Sequence, residues 1–235
     1  MTPFQEQLRA LFAAQEIAVT AEQAAALEQY ARLLQEWNER MNLTAITDDE
    51  GILVKHFLDS ALALRLARPT GSVIDVGTGA GFPGVVWKLL CPDLRLTLLD
   101  SLQKRLTFLE TVCAALGIEA ALVHARAEDG GRDPAFRERF DCATARAVAG
   151  MNVLSEYCLP FVKTGGDFAA LKGPQMEGEL PLARKAISVL GGKVERVETY
   201  ALPGGDRRAL ALVRKSRPTP KAYPRQGGKI KKSPL

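Results

Sequence analysis

The sequence has no uninterrupted apolar run approaching the ~20 residues that a helix needs to cross a bilayer. Its first residues, MTPFQEQLRALF, lack the basic start and apolar core of a secretory signal. Its final Ser233-Pro234-Leu235 is not the peroxisomal tripeptide. Cysteine and histidine are scarce: Cys91, Cys113, Cys142 and Cys158 lie far apart in apolar surroundings, and His56 and His124 are the only histidines. Such spacing suggests neither a disulfide framework nor a metal cluster. No membrane partner is indicated, and a bacterial-type cytoplasm fits.

What is present is ordinary in bulk, with 47% hydrophobic and 25% charged residues. A chain of 235 residues is long enough for one well-buried α/β domain plus an extension. Charge is informative once divided. Of the 31 Lys and Arg, eight fall between Arg214 and Leu235, where there is no acid, leaving 23 against 27 acidic residues elsewhere. The basic balance is therefore the work of one Pro- and Gly-rich tail. Such an arm is a common nucleic-acid footprint, and equally a solubilising end.

The stretch Ile74-Asp75-Val76-Gly77-Thr78-Gly79-Ala80-Gly81-Phe82-Pro83-Gly84 carries the strongest local signal. Val73, Ile74 and Val76 read as a buried strand. Gly77, Gly79 and Gly81 allow a sharp turn and close backbone approach to a ligand, and Pro83 suits the first turn of a helix. Strand, glycine turn and helix N-terminus make a nucleotide-type binding edge. Gly79-x-Gly81-x-x-Gly84 also fits the dinucleotide fingerprint. Asp75 tilts the reading, because Asp-x-Gly-x-Gly-x-Gly resembles motif I of the class I S-adenosylmethionine (AdoMet) methyltransferases, where such an acid can face the cofactor's cationic amino-acid end.

Along the chain, Thr2-Pro3-x-Gln5 and Thr20-x-x-Gln23 read as capped helix starts. Thr47-x-x-Glu50 opens a third helix, with Leu53, Val54, Phe57 and Leu58 on one face. Residues 1–66 thus form a helical extension. From residue 67 to 214 strands (Ser72–Val76, Arg95–Leu99, Ala121–His124, Cys142–Ala145, Phe168–Leu171) alternate with helices (Pro83–Leu90, Leu102–Leu116, Met151–Val162, Gln175–Val189). That succession predicts an α/β, mostly parallel, doubly wound sheet. Val194–Tyr200 and Arg208–Val213, joined through Pro203-Gly204-Gly205-Asp206, read as a hairpin. It leaves one antiparallel strand, as in the seven-stranded, Rossmann-like methyltransferase sheet. Residues 215–235 are the basic tail.

Ligands in open α/β sheets bind beyond the carboxyl ends of the strands. Those ends carry Asp75 with the glycines, then Asp100, then Ala125-Arg126-Ala127-Glu128-Asp129, then Arg146. Asp100 is placed to bond ribose hydroxyls or to cap the next helix. Backbone N–H groups at Ala127 or Glu128 could meet an adenine edge. Arg146 directly follows an apolar strand, where an arginine is rarely core unless paired.

Trp37-Asn38-Glu39-Arg40-Met41-Asn42-Leu43-Thr44, His56-Phe57-Leu58-Asp59-Ser60, Ile74 to Gly84, Leu99-Asp100-Ser101, Ala145-Arg146-Ala147 and Leu171-Lys172-Gly173 occur in this order. Together they resemble the RsmG family, also called GidB, whose members methylate guanine N7 in small-subunit (16S) ribosomal RNA. Tyr223-Pro224-Arg225 and Lys231 to Leu235 match as well, so the resemblance runs from about Trp37 through the tail. It implies AdoMet as cofactor and, as partner, 16S rRNA or the small ribosomal subunit, assembled or partly assembled. The base it implies is a guanine in the 530-loop region near the decoding site. By the same resemblance Gly77 and Phe82 line the AdoMet pocket, Ala127 and Glu128 hold the adenine side, and Arg146 closes it. The run Asp129-Gly130-Gly131-Arg132-Asp133-Pro134 departs from the family as a short insertion.

Guanine N7 has an in-plane lone pair and no proton, so its methylation needs no general base, and no catalytic side chain is assigned. Candidates for RNA contact are Lys55, His56, Lys172 and the tail cations, Arg225 among them. Lys55 and Asp59 are spaced for an intrahelical pair, and Lys172, at a strand end, faces the cleft. Competing readings are an AdoMet enzyme with a small-molecule or protein acceptor, a nicotinamide-dependent oxidoreductase, and a non-catalytic RNA-binding protein.

Overall fold

The computed structural model describes all 235 residues. Thr2 and Thr20 each accept a hydrogen bond from the N–H three residues on, and Gln5 and Gln23 bond back to the cap N–H. These capping boxes start α1 (Pro3–Ala13) and α2 (Ala21–Met41). The third helix begins one residue later than Thr47-x-x-Glu50 indicates: Asp48 is its cap, the carboxylate accepting from Gly51 N–H at 2.7 Å. From there α3 (Asp49–Gly51), a π-helical stretch (Ile52–Leu58) and α4 (Asp59–Ala67) run on without a break. In the wider π winding a 3.6-residue period no longer assigns faces. His56, which that period puts on the polar side, is buried at 8% exposure.

The alternating part comprises β1 (Ser72–Val76), α5 (Gly84–Leu90), β2 (Arg95–Asp100), α6 (Gln103–Leu116), β3 (Ala120–His124), α7 (Ala127–Gly130), β4 (Phe140–Arg146), α8 (Met151–Cys158), β5 (Val162–Lys172), α9 (Met176–Val189), β6 (Gly192–Ala201) and β7 (Arg207–Lys215). The strand order is β3-β2-β1-β4-β5-β7-β6. The first five strands are parallel, and β7 lies antiparallel between β5 and β6. The hairpin pattern therefore reads correctly as the source of the one antiparallel strand. The helix expected to reach Val162 stops at Cys158, where a single turn (Leu159–Phe161) carries Pro160. Proline has no N–H to continue an α-helix, and β5 starts six residues ahead of Phe168.

Side chains alternate across each strand, so the sheet is buried on both faces. Val73, Leu98, Ala169, Leu171 and Leu210 face α1, α2, α4, α5 and α6. Ile74, Leu99, Phe168, Ala170 and Ala211 face α8 and α9. The N-terminal helices are thus one layer of the sandwich. Trp87 on α5, fully buried, donates from Nε1 to Ser60 O at 2.8 Å and ties α5 to α4 within that layer.

The tail is folded back, not free. Lys215 Nζ is buried and donates to Leu159 O, Val162 O and Thr219 Oγ1; burial lowers its pKa to about 8, against the pull of Glu138. Arg137 donates to the carbonyls of Thr219 and Tyr223, and Arg132 to that of Pro224. Arg225 grips Glu156, and α10 (Gly227–Lys232) buries Ile230 against α8. Composition hides this because the partners are carbonyls and single carboxylates dispersed through the sequence.

Candidate functional site

The site is built on the turn between β1 and α5. Gly77 N and Thr78 N donate to Leu99 O at 2.8 and 3.1 Å, and Gly79 N donates to Asp100 Oδ2 at 2.9 Å, folding the turn over the end of β2. Gly77, Gly79 and Gly81 have φ of +71°, +60° and +98°, the region that only glycine enters without cost. At Gly81 a Cβ would also lie 2.8 Å from Leu109 and Val85. The helix read from Pro83 begins at Gly84, with Pro83 as its cap residue.

Asp75 corrects an expectation. It does not line the cleft; it sits fully buried beneath the turn. Its Oδ2 accepts from Thr78 Oγ1 at 2.8 Å and Gly84 N at 3.0 Å, while Oδ1 has no partner. Burial raises its pKa to about 6, although the bonds from Gly84 and Thr78 favour the anion. The physical reason is strand parity: Asp75 shares its face of β1 with Val73, which packs against the α5 layer. The folded protein therefore holds this proton more tightly than the unfolded chain, and ionising it costs stability as pH rises from 3.8 through about 6. Asp75→Asn removes that dependence. In the absence of ligand, the stability of the Asp75→Asn variant relative to wild type is expected to improve by roughly 3 kcal/mol between about pH 3 and pH 7. Urea melts across that range check it, and a pH-independent difference refutes it.

Gly77, Gly79, Phe82, Asp100, Ala127, Glu128 and Arg146 do line a single cleft of about 530 Å³, a size usual for small-molecule sites (roughly 300–1,000 Å³). Asp100 serves both readings of it. Oδ1 accepts from Leu102 N at 2.9 Å where α6 begins, Arg105 approaches to 3.3 Å, and the carboxylate borders the cleft. Ala127 and Glu128 open the short α7. Phe82 stacks on His56 (ring centroids 4.4 Å) and on Tyr30 (5.2 Å), with the Arg146 guanidinium 5.0 Å from its centre. Tyr30 reaches from α2 to donate its hydroxyl to Ala80 O, so the N-terminal layer holds the glycine turn directly.

Arg146, at the end of β4, donates to Lys55 O, Asp59 Oδ2 and His56 Nδ1, each at 3.1 Å. With Nδ1 accepting, the His56 proton sits on Nε2, which meets Thr44 Oγ1 at 3.0 Å. Burial, then Arg146, lower the His56 pKa to about 3; the ring is neutral at physiological pH and offers RNA no charge. Asp59 also accepts from Tyr200 OH at 2.8 Å and faces Arg208 at 3.7 Å. The expected Lys55–Asp59 pair does not form: Asp59 turns inward to Arg146, and Lys55 meets Asp206 at 3.4 Å. Ala147, next in the chain, has φ +56°, backbone strain of the kind that collects at functional sites.

A second cleft of about 430 Å³ adjoins the first and shares His56, Arg146 and Ala147 with it. Lys55, Asp59, Lys172, Tyr200 and Arg208 are among the residues that line its remainder. Lys172 does border this cleft, but its ammonium is held by Glu179 at 2.7 Å and Ala149 O at 2.8 Å. Arg225 borders neither cleft; its guanidinium chelates the buried Glu156. Tyr30, Tyr200 and Arg208 belong to the site without having been singled out in the sequence, whereas Thr44 closes the Trp37–Thr44 stretch and Lys231 is one of the tail cations. Strand alternation in the hairpin put Tyr200 and Arg208 opposite each other, and their cross-strand pairing was the available clue.

A family model described as GidB, rRNA small subunit methyltransferase G, matches residues 23–210. Ribosomal RNA small subunit methyltransferase G of Symbiobacterium thermophilum is 57% identical over 212 residues, 86% of each chain. That of Brevibacillus brevis is 47% identical over 236 residues, 98% of each chain. Among solved structures, an O-methyltransferase of Thermotoga maritima superposes with a TM-score of 0.54 at 14% identity, over 78% of this chain and 72% of that one. TrmN of Thermus thermophilus gives 0.52 at 21%, over 69% and 53%. These last two likenesses are of fold, that of the class I methyltransferases. The family model and the full-length relatives go further: the chain belongs to the GidB, or rRNA small subunit methyltransferase G, family.

Proposed function

We propose that the chain transfers a methyl group from AdoMet to N7 of a guanine in 16S ribosomal RNA, in the 530-loop region near the decoding site. The observation that carries this reading is the pair of clefts meeting at Arg146, one on the glycine turn and one lined by cations. The first fits AdoMet by its donor set. It offers glycine backbone at the turn, the Asp100 carboxylate for ribose hydroxyls, the Ala127–Glu128 backbone for adenine and the Phe82 ring as an apolar wall. AdoMet, when bound, supplies an electrophilic methyl group.

The side chains then position and screen. N7 carries no proton, so a neutral His56 bonded at both ring nitrogens is no handicap. Arg146 makes three hydrogen bonds within the protein, leaving two of its five donors for a bound base. Asp59 offsets the charge of Arg146, which would favour a cationic methyl donor in the adjoining cleft. Catalysis comes from alignment of the reacting atoms, for which effective molarities can be large.

Methyl transfer from labelled AdoMet is tested on small subunits lacking the modification, with naked 16S rRNA in parallel, followed by mapping of the base. The expected outcome is label at a single guanine N7, absent with Asp75→Ala, which leaves the Gly84 N–H and Thr78 hydroxyl beneath the turn without their acceptor. Tight AdoMet binding with no transfer to either RNA overturns the ribosomal acceptor and favours a small-molecule or protein one.

A further inference from the structure

The basic tail forms part of the first cleft. Four attachments hold it there. Arg132 and Arg137, in the segment between α7 and β4, bind its Pro224, Tyr223 and Thr219 carbonyls. Arg225 clasps Glu156 at 2.6 Å, and Ile230 is fully buried. Gly227 packs on Glu128 so closely that a Cβ at that position would overlap the carboxylate. One contact thus fixes both the tail and the residue at the adenine end of the cleft.

Lys231, one residue beyond Ile230, lines this same end together with Ala125, Ala127, Glu128 and Tyr157. Unlike Lys215 and Arg225, which carboxylates hold in the interior, Lys231 lies exposed at the rim. Adenine presents ring nitrogens that accept hydrogen bonds, and an ammonium is a donor only. We propose that Lys231 is a cofactor-binding residue that donates to the adenine of AdoMet, and that the docked tail presents it. The tail is then a wall of the cofactor site, and its charge there serves the nucleoside end of the methyl donor. The inference rests on the reading of the first cleft as the AdoMet site.

The experiment is calorimetric titration of the full chain, as wild type, Lys231→Ala and Lys231→Arg, with AdoMet and with S-adenosylhomocysteine. Binding of unmodified small subunits is measured in parallel. Adenine is common to both ligands, so Lys231→Ala is expected to raise both Kd values by a similar factor, on the order of tenfold for one charge-assisted hydrogen bond. The ligand-free melting temperature stays unchanged and Lys231→Arg largely recovers affinity. As a second variant, Gly227→Ala is expected to weaken both ligands through the Glu128 carboxylate. Unchanged Kd values for Lys231→Ala, with a loss confined to subunit binding, overturn the inference and return the tail to RNA contact. Absence of AdoMet binding by the wild type overturns the reading of the cleft itself, an outcome distinct from the first.

Discussion

Arg146→Ala is expected to lower methyl transfer by a factor of roughly 10²–10³, the usual cost of losing one preorganised donor at a reacting centre. The side chain borders both clefts and bonds to His56, Asp59 and the Lys55 carbonyl. Its removal leaves Asp59, 4% exposed, with Tyr200 OH and a distant Arg208. It also frees the face of Phe82 and leaves His56 Nδ1 without a donor. Misplacement of reacting groups by about 1 Å is enough for a loss of that size. The discriminating measurement is single-turnover transfer beside AdoMet titration: the rate is expected to fall far more than the affinity. Arg146→Lys keeps the charge but not the planar fork and should recover little. A rate within about threefold of wild type would remove Arg146 from the centre of the mechanism.

The second large effect is on stability. Arg225 donates from its backbone N and its guanidinium to Glu156, which is 1% exposed. Truncating one partner of a buried pair leaves the other charged and uncompensated, at a cost of about 3–5 kcal/mol. Arg225→Ala should therefore lower the melting temperature by on the order of 10 °C, at about 2–4 °C per kcal/mol for a chain of this length. The double change Glu156→Met with Arg225→Met removes both charges and should regain most of the loss. A melting temperature within about 2 °C of wild type would mean the tail is not docked in solution. The same bonds explain why Arg225 is a poor candidate for RNA contact.

What could be read from the residues divides along physical lines. Capping boxes, the glycine turn and strand–helix alternation are local in the chain, and each survives folding almost where the spacing puts it. The strand-end rule likewise brings Gly77, Asp100, Glu128 and Arg146 to one cleft. Reading the resemblance to RsmG adds the order of the motifs, and the family match agrees with it. Three features escape such reasoning. Asp75 turns beneath the loop because strand parity, not distance from the glycines, decides its direction. His56 is buried because a π-helical stretch breaks the helical period. The tail reads as an arm because Glu156 and Arg137 lie 69 and 86 residues from the groups they hold.

The hydroxyl of Tyr30 on the turn carbonyl of Ala80 spans 50 positions of sequence, and Lys231 meets the same cleft from the far end of the chain. Contacts of such separation carry a loop-closure entropy that must be met before they contribute. During synthesis the N-terminal helices emerge first, with the faces of Phe12, Leu27 and Leu34 waiting for a sheet that does not yet exist. The cleft is therefore assembled from segments remote in sequence, and the glycine turn is held by the N-terminal helices only once they have packed on the sheet.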